Sequence, residues 1–229
     1  MPNTHLSCQN IQVITFDCYG TLIDWETGAT QYMSGILGRT HSSLPVRRVF
    51  ERWEEIQFIY LQDPYETYRE ILFHSLLDTL DELKIPYRDG DGDGFGEVFG
   101  TCQPFPDVPP GLARLKKKYK LGIISNIDDD ILARSLTYLG TGMDFLITAE
   151  RVGFYKPDPE PFKLALEMIG VAPSHILHAA FGYKYDLRPA SELGMATCFV
   201  NRSGLALPPG YAPDITVASI ADLAQALNT

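Results

Sequence analysis

Val13-Ile14-Thr15-Phe16-Asp17-Cys18-Tyr19-Gly20-Thr21-Leu22-Ile23-Asp24 begins as a short apolar, β-branched run and stops at a carboxylate, with a Gly-Thr turn directly behind it. The pattern predicts a buried strand ending at Asp17. In a parallel α/β sheet, ligands bind at the carboxyl ends of the strands. Asp17, ringed by loop amides, therefore stands where a nucleophile or a ligand belongs. The competing reading is structural, with Asp17 capping the turn or the next helix.

The rest of the 229-residue chain suits one large domain, or a core with a smaller accessory domain. Hydrophobic residues make up 45% and aromatic residues 11%, ample for a packed core. Net charge is −10, and the one dense basic run, Arg114 to Lys120, reads as the solvated end of a helix. No nucleic-acid partner is expected. An acidic chain does not steer anions in general, so any anion site must be built locally. Cys8, Cys18, Cys102 and Cys198 show neither pairing spacing nor a CxxC, which predicts reduced thiols. With no signal-like start and no apolar run near ~18 residues, the expectation is a cytoplasmic protein without a membrane partner.

After the first strand (about 11–17) and its loop, residues 25–103 carry helical rather than strand periodicity. Val46, Val49, Phe50, Trp53, Ile56 and Tyr60 form one apolar stripe; Tyr68, Ile71, Leu72, Leu76, Leu80 and Leu83 form another, with Pro64 between them. Asp89-Gly90-Asp91-Gly92-Asp93-Gly94 resembles the start of a calcium loop. The twelfth position, where such a loop needs an acid, is Gly100. An acidic, glycine-rich turn is the expectation there. From residue 104 strands (near 121–124, 144–148, 175–180, 196–200 and 214–217) alternate with helices (to about 118, then near 128–139, 158–169, 186–193 and 218–227). The expected fold is α/β, a parallel sheet core (1–24 and 104–229) with an inserted helical domain (25–103).

Three further groups fall in loops behind core strands. Ser125-Asn126 follows Ile123-Ile124 at a helix start, where a hydroxyl and backbone N–H groups can hold an anionic oxygen or simply cap the helix. Lys156, ahead of Pro157, is biased to an extended conformation before a helix; there it can keep Asp17 ionised, or be a surface lysine. Asp186, behind the strand Ile176-Leu177-His178-Ala179-Ala180, can orient Lys156 or activate water, or cap a helix. The order of the four, each at a strand end, carries more weight than any one of them.

These motifs (Asp17 to Thr21, Ile124-Ser125-Asn126, Tyr155-Lys156-Pro157-Asp158, and the loop ending at Asp186) resemble those of the haloacid dehalogenase superfamily, and within it the type II (S)-2-haloacid dehalogenases, over nearly the whole chain. The resemblance implies a Rossmann-like core, Asp17 as nucleophile and residues 25–103 as a cap closing over the substrate. Superfamily phosphatases carry a second aspartate two residues after the nucleophile, to protonate a leaving oxygen. That position is Tyr19 here. A halide leaves without a proton, so the residues favour attack on carbon. The case for magnesium is also weakened, since there is no phosphoryl charge to neutralise and one carboxylate fewer. No cofactor is expected. In the implied reaction Asp17 displaces a leaving group from C2 of a small 2-substituted carboxylic acid. Water near Asp186 then opens the aspartyl ester, and Lys156, Ser125, Asn126 and Thr21 stabilise the oxyanion.

The resemblance breaks at the substrate pocket. The arginine that follows the cap tryptophan in the best-known type II enzymes is Glu54 here. Helical phase places Glu54 roughly 120° from the centre of its apolar stripe, which predicts a solvated side chain. Arg52 and Arg69 are the substitute candidates for the substrate carboxylate. A family tyrosine is Phe162, and the polar residues before the last acid are Phe181, Gly182 and Tyr183. Tyr19, Tyr183, Tyr185 and Trp25 are candidate pocket aromatics with hydroxyl or indole donors, and Cys18 is grouped with them as a lining residue. The first functional reading is a 2-haloacid dehalogenase. The same chemistry on another electrophile, such as ring-opening hydrolysis of azetidine-2-carboxylate, comes next. A phosphatase and a non-catalytic binding protein come last. A homodimer is compatible with the sequence, though no stripe demands one. Asn201-Arg202-Ser203 matches a glycosylation sequon, without meaning in a cytoplasmic protein.

Overall fold

The computed structural model describes residues 10–229; the lead-in before residue 10, with Cys8, lies outside them. Six parallel strands form one sheet: β1 (Val13–Phe16), β2 (Lys120–Ser125), β3 (Phe145–Thr148), β4 (Ile176–Ala180), β5 (Ala196–Val200) and β6 (Ile215–Val217), in the order β3-β2-β1-β4-β5-β6. Every residue of β1, β4 and β5 is buried, as expected for strands covered on both faces. β1 lies between β2 and β4, where the strand order reverses, and this doubly wound order opens its crevice at the carboxyl end of β1. Asp17 is the next residue. The sharp turn behind it needs Gly20: its φ is +97°, and a Cβ there would come within 2.6 Å of the Phe181 ring.

Four helices lie between β1 and the helix that leads into β2. They are α1 (Trp25–Arg39), α2 (Val46–Tyr60), α3 (Tyr68–Glu82) and α4 (Asp91–Phe99). Both expected stripes face their core. Val49, Phe50, Trp53 and Ile56 of α2 and Ile71, Leu72, Leu76 and Leu80 of α3 are buried. Trp53 centres an aromatic cluster with Trp25, Phe50, Phe95 and Phe99, and its indole N–H donates to Ser75 Oγ at 2.9 Å. Periodicity did not reveal α1 or α4. The expected acidic turn is instead the first part of α4. Its glycines serve close approach rather than flexibility, since a Cβ on Gly92 would meet the Phe73 ring at 2.4 Å and one on Gly94 the Tyr32 hydroxyl at 2.3 Å. The Asp91 carboxylate is held by Arg39 at 2.5 Å and by the Arg88 N–H at 2.9 Å.

The remaining helices are α5 (Val108–Leu115), α6 (Asp129–Leu139), α7 (Ala149–Val152), α8 (Glu160–Ile169), α9 (Arg188–Glu192) and α10 (Ile220–Ala226). The helix expected near 186–193 begins earlier, as a π-helical turn over Tyr183–Leu187 that runs into α9. The two chain crossings into the helical insert run side by side: the Asp24 N–H donates to Gln103 O and the Phe105 N–H to Leu22 O.

Insert and sheet are also joined away from those crossings. Asp128, just ahead of α6, accepts from the Tyr68 and Arg69 N–H groups at 2.8 and 2.9 Å, at the first turn of α3. Tyr155 donates to Glu66 O, and Arg69 bridges Glu97 and Asp130. No described helix is long and apolar enough to cross a membrane. Because Asp128 satisfies two orphan amides at a helix N-terminus, Asp128→Ala is expected to lower stability by about 1–2 kcal/mol in urea unfolding. An unchanged midpoint would show that the contact contributes nothing.

Candidate active site

Lys156, in the loop between α7 and α8, is held by Asn126. The Asn126 side-chain amide donates to Lys156 O and accepts from the Lys156 N–H, at 2.9 and 2.7 Å. The lysine side chain then passes into the crevice, and its ammonium has three acceptors: Asp17 Oδ1 at 3.0 Å, Asp186 Oδ1 at 2.5 Å and Ile124 O at 2.8 Å. An ammonium has three N–H donors, so all are taken. Lys156, Asp17 and Asp186 are all buried.

The network extends at both ends. Thr21 donates to Asp17 Oδ2 at 2.8 Å and accepts from the Phe181 N–H at 3.1 Å. The carbonyl of Thr21 is in turn held by the Arg202 guanidinium, which also pairs with Asp107. On the other side His178, wholly buried in β4, lies between Thr15 Oγ1 (2.9 Å) and Asp186 Oδ1 (3.3 Å). Neither Arg202 nor His178 was singled out from the sequence. A histidine midway along an otherwise apolar strand is the one signal that pointed to the latter.

Burial raises the Asp17 carboxyl above its ordinary range, and the charge of Lys156 only partly offsets this. Burial acts on Asp186 too, but Lys156 at the shorter distance and His178 outweigh it, holding that carboxyl below the usual range. Burial disfavours the Lys156 ammonium, and the two carboxylates overcome it, so its pKa is raised. The triad is thus a lysinium between an ionised Asp186 and an Asp17 that ionises at a higher pH than a free aspartate.

Above the triad is a cavity of about 650 Å³. The core side contributes Asp17, Tyr19, Ser125, Asn126, Lys156, Phe181, Tyr185 and Asp186; the insert contributes Trp25, Glu51, Glu54, Glu55, Gln57, Phe58, Leu61 and Tyr68. Several expectations are corrected here. Tyr19 lines the cavity, but its hydroxyl is bonded to Ser135 Oγ at 2.8 Å, away from any substrate. Cys18 is buried in the core and Tyr183 packs on Tyr211 at 4.8 Å; neither lines the cavity. Arg52 and Arg69 are absent from the lining as well. Arg52 is held by Glu55 and Glu82, and Arg69 by Glu97 and Asp130. Glu54, expected to be solvated, is half-buried and lines the cavity. Asn126 and Thr21 position Lys156 and Asp17, and their hydrogen-bonding groups are engaged in doing so. Ser125 is buried at the end of β2 and its hydroxyl is free of protein partners among the described residues. Phe162 packs edge-on against His178 at 5.1 Å.

A magnesium ion, which this fold implies in phosphatases, needs several oxygen ligands around one point. Here the Lys156 ammonium already bridges the two carboxylates, and the side chain two residues past Asp17 is a phenol. Among the described residues no group of three or more His, Cys, Asp and Glu is placed to hold a metal. The residues present do not fit that ion.

This sheet order, with the carboxylate–lysine–carboxylate site at its switch point, defines a class, and the chain belongs to it. The family described as "Hydrolase: haloacid dehalogenase-like hydrolase" matches residues 11–179. Among relatives, an (S)-2-haloacid dehalogenase from Pseudomonas sp. (strain YL) is 27% identical over 96% of this chain and 95% of its own. Haloacetate dehalogenase H-2 from Moraxella sp. (strain B) is 26% identical over 91% and 94%. The crystal structure of a defluorinating L-2-haloacid dehalogenase superposes with a TM-score of 0.83 at 26% identity, covering 96% of each chain.

Replacing Lys156 with Met leaves two carboxylates buried without a cation, which is expected to cost about 3–5 kcal/mol at pH 7. The deficit should shrink towards pH 4–5, because the uncompensated carboxyls then take up protons in the folded state. Urea unfolding of Lys156→Met at the two pH values measures this. A deficit that stays constant or grows on acidification would contradict it.

Proposed function

We propose that this hydrolase acts on carbon rather than phosphorus, through an ester formed on Asp17. The observation that carries the reading is the Lys156 ammonium between Asp17 and Asp186, beneath a cavity roofed by the helical insert. Asp17, held by Thr21 and Lys156, attacks the electrophilic carbon of a small 2-substituted carboxylic acid. The carbon–leaving-group bond breaks with its electron pair, and attack from the opposite side inverts the carbon. Water beside Asp186 then adds to the ester carbonyl. The developing oxyanion is met by Lys156 and the Ser125 hydroxyl. Collapse releases the 2-hydroxy acid and returns Asp17 with one oxygen from water.

Tyr19 supports carbon over phosphorus. Burial and neighbouring groups push its phenol well above its usual pKa, and its hydroxyl faces Ser135. It is therefore a poor acid, turned away from any leaving oxygen. A leaving group that needs no proton fits this site, and halide is the first candidate by analogy with the dehalogenase relatives. The insert, residues 25–103, acts as a cap that keeps the ester dry and aligned. A second reading has one observation in its favour: among the described residues no arginine lines the cavity, and Glu54 does. Ring opening of azetidine-2-carboxylate uses the same displacement, and a protonated ring nitrogen also leaves without help from an acid.

A single-turnover reaction in ¹⁸O-water, run in parallel with 2-chloropropionate and azetidine-2-carboxylate, tests the route. Label in the Asp17 peptide is expected with whichever acid is turned over, and Asp17→Asn should abolish turnover. No turnover of either acid, together with Mg²⁺-stimulated release of phosphate from an aryl phosphate, would overturn the reading. The acid limb of kcat/KM should lie above about pH 3.9, the ordinary aspartate value, because a nucleophile with a raised pKa loses its charge at higher pH. Since Lys156 is raised as well, no alkaline limb is expected below about pH 10.

A further inference from the structure

The charges around the cavity are unbalanced. Its lining holds five carboxylates (Asp17, Glu51, Glu54, Glu55 and Asp186) and one cation, Lys156, whose three N–H donors are already taken. Two of the acids are neutralised from outside the lining, Glu51 by Arg47 at 2.8 Å and Glu55 by Arg52 at 2.6 Å. Glu54 alone among the three glutamates has neither an ion pair nor a hydrogen bond among the described residues. It follows Trp53 on α2, and the fully buried indole fixes that turn of the helix over the crevice.

Glu54 also borders a second cavity with Arg47 and Arg202, and neither of these nor Lys184 is committed to Glu54; Arg202 is paired with Asp107. Arg47 is divided between Glu26 and Glu51. Lys184 sits on the Phe58 ring, 3.9 Å from its centroid, outside the lining. Burial, together with Glu26 and Glu51, raises the Glu54 carboxyl, while Arg47 opposes them. Glu54 also bears on the Tyr185 hydroxyl across the cavity, which burial, Asp186 and Glu54 push up to about 12. A cation entering the cavity would relieve both. An anion would meet uncompensated negative charge and no free cationic donor.

We infer that Glu54 selects the substrate, receiving a protonated amine, so that this site takes small amine-bearing electrophiles in preference to purely anionic acids. The assignment rests on the aspartyl-ester reading and names its substrate class. Glu54 and Asp17 line one cavity, so a substrate whose ammonium meets Glu54 can present its electrophilic carbon to Asp17. Ser125, Tyr185 and the Trp25 indole N–H remain as neutral donors for a carboxylate on the same molecule. Zwitterions fit this arrangement better than simple anions do.

The test is binding rather than turnover, so that it is independent of the chemistry. In the Asp17→Asn protein, calorimetric titration with azetidine-2-carboxylate and with 2-chloropropionate is compared before and after adding Glu54→Gln. The zwitterion should bind at least ten-fold more tightly than the anion. Glu54→Gln should weaken the zwitterion at least ten-fold and leave the anion unchanged or improved. Glu54 is half-buried and unpaired, so the variant is expected to fold, which a thermal melt checks. The inference is overturned if Glu54→Gln changes zwitterion affinity less than two-fold, if 2-chloropropionate binds more tightly with Glu54 in place, or if azetidine-2-carboxylate shows no saturable binding. Failure of the ester route would appear separately, as absence of ¹⁸O from the Asp17 peptide.

Discussion

One ammonium between two buried carboxylates is the constraint on which the rest depends. Three charged groups withdrawn from water are tolerable only if they neutralise and hydrogen-bond one another. Lys156 does this with its full set of donors. The requirement reaches outward. Asn126 must hold the Lys156 backbone, Thr21 must hold the second oxygen of Asp17, and His178 must hold Asp186 against Thr15. The sheet order makes it possible, because only a strand flanked by β2 and β4 brings loops from three other strands to its carboxyl end. The same arrangement separates the two acids by ionisation: Asp186, more tightly paired, is held below the usual carboxylate range, while the more weakly paired Asp17 is raised above it.

The helical insert supplies the other half of the site, and its geometry follows from packing. An aromatic cluster around Trp53 fixes α2, and a glycine-bearing α4 lies close against α1 and α3. Asp128 and Tyr155 tie the start of α3 to the sheet. The insert's side of the cavity is consequently set mainly by helices, through Trp25 of α1, Glu51, Glu54, Glu55, Gln57 and Phe58 of α2 and Tyr68 of α3. A single residue on α2 can therefore set the charge that an entering substrate meets.

Much of this was legible in the sequence, because the central strand and its flanking loops are local signals. β1 is a run of four buried apolar or β-branched residues, and Asp17, Ser125, Lys156 and Asp186 each follow a strand or precede a helix within a few positions. What escaped depends on partners remote in sequence. The Tyr19 hydroxyl turns to Ser135, 116 residues away, so its direction could not be read from the motif. Arg52 and Arg69 looked available because three of the four acids that hold them, Glu82, Glu97 and Asp130, lie on other helices; only Glu55 shares a helix with Arg52. Helical phase identified the buried stripe of α2, but a stripe defines the face turned to the insert's own core. It does not say which of the remaining faces overhangs the sheet, and Glu54 lies on that one. The helix α4 was hidden by its glycines, which propensity penalises and close packing requires.

The central claim is that Asp17 becomes covalently attached to the substrate carbon. Rapid acid quench during the first turnover, followed by mass spectrometry of the peptide containing Asp17, tests it most directly. The expected result is a transient mass increase on that peptide that rises and decays ahead of product release, equal to the substrate less its leaving group for a halide and to the whole substrate for ring opening, where the leaving nitrogen stays attached. Product appearing in the first turnover while that peptide stays unmodified at every time point would contradict it.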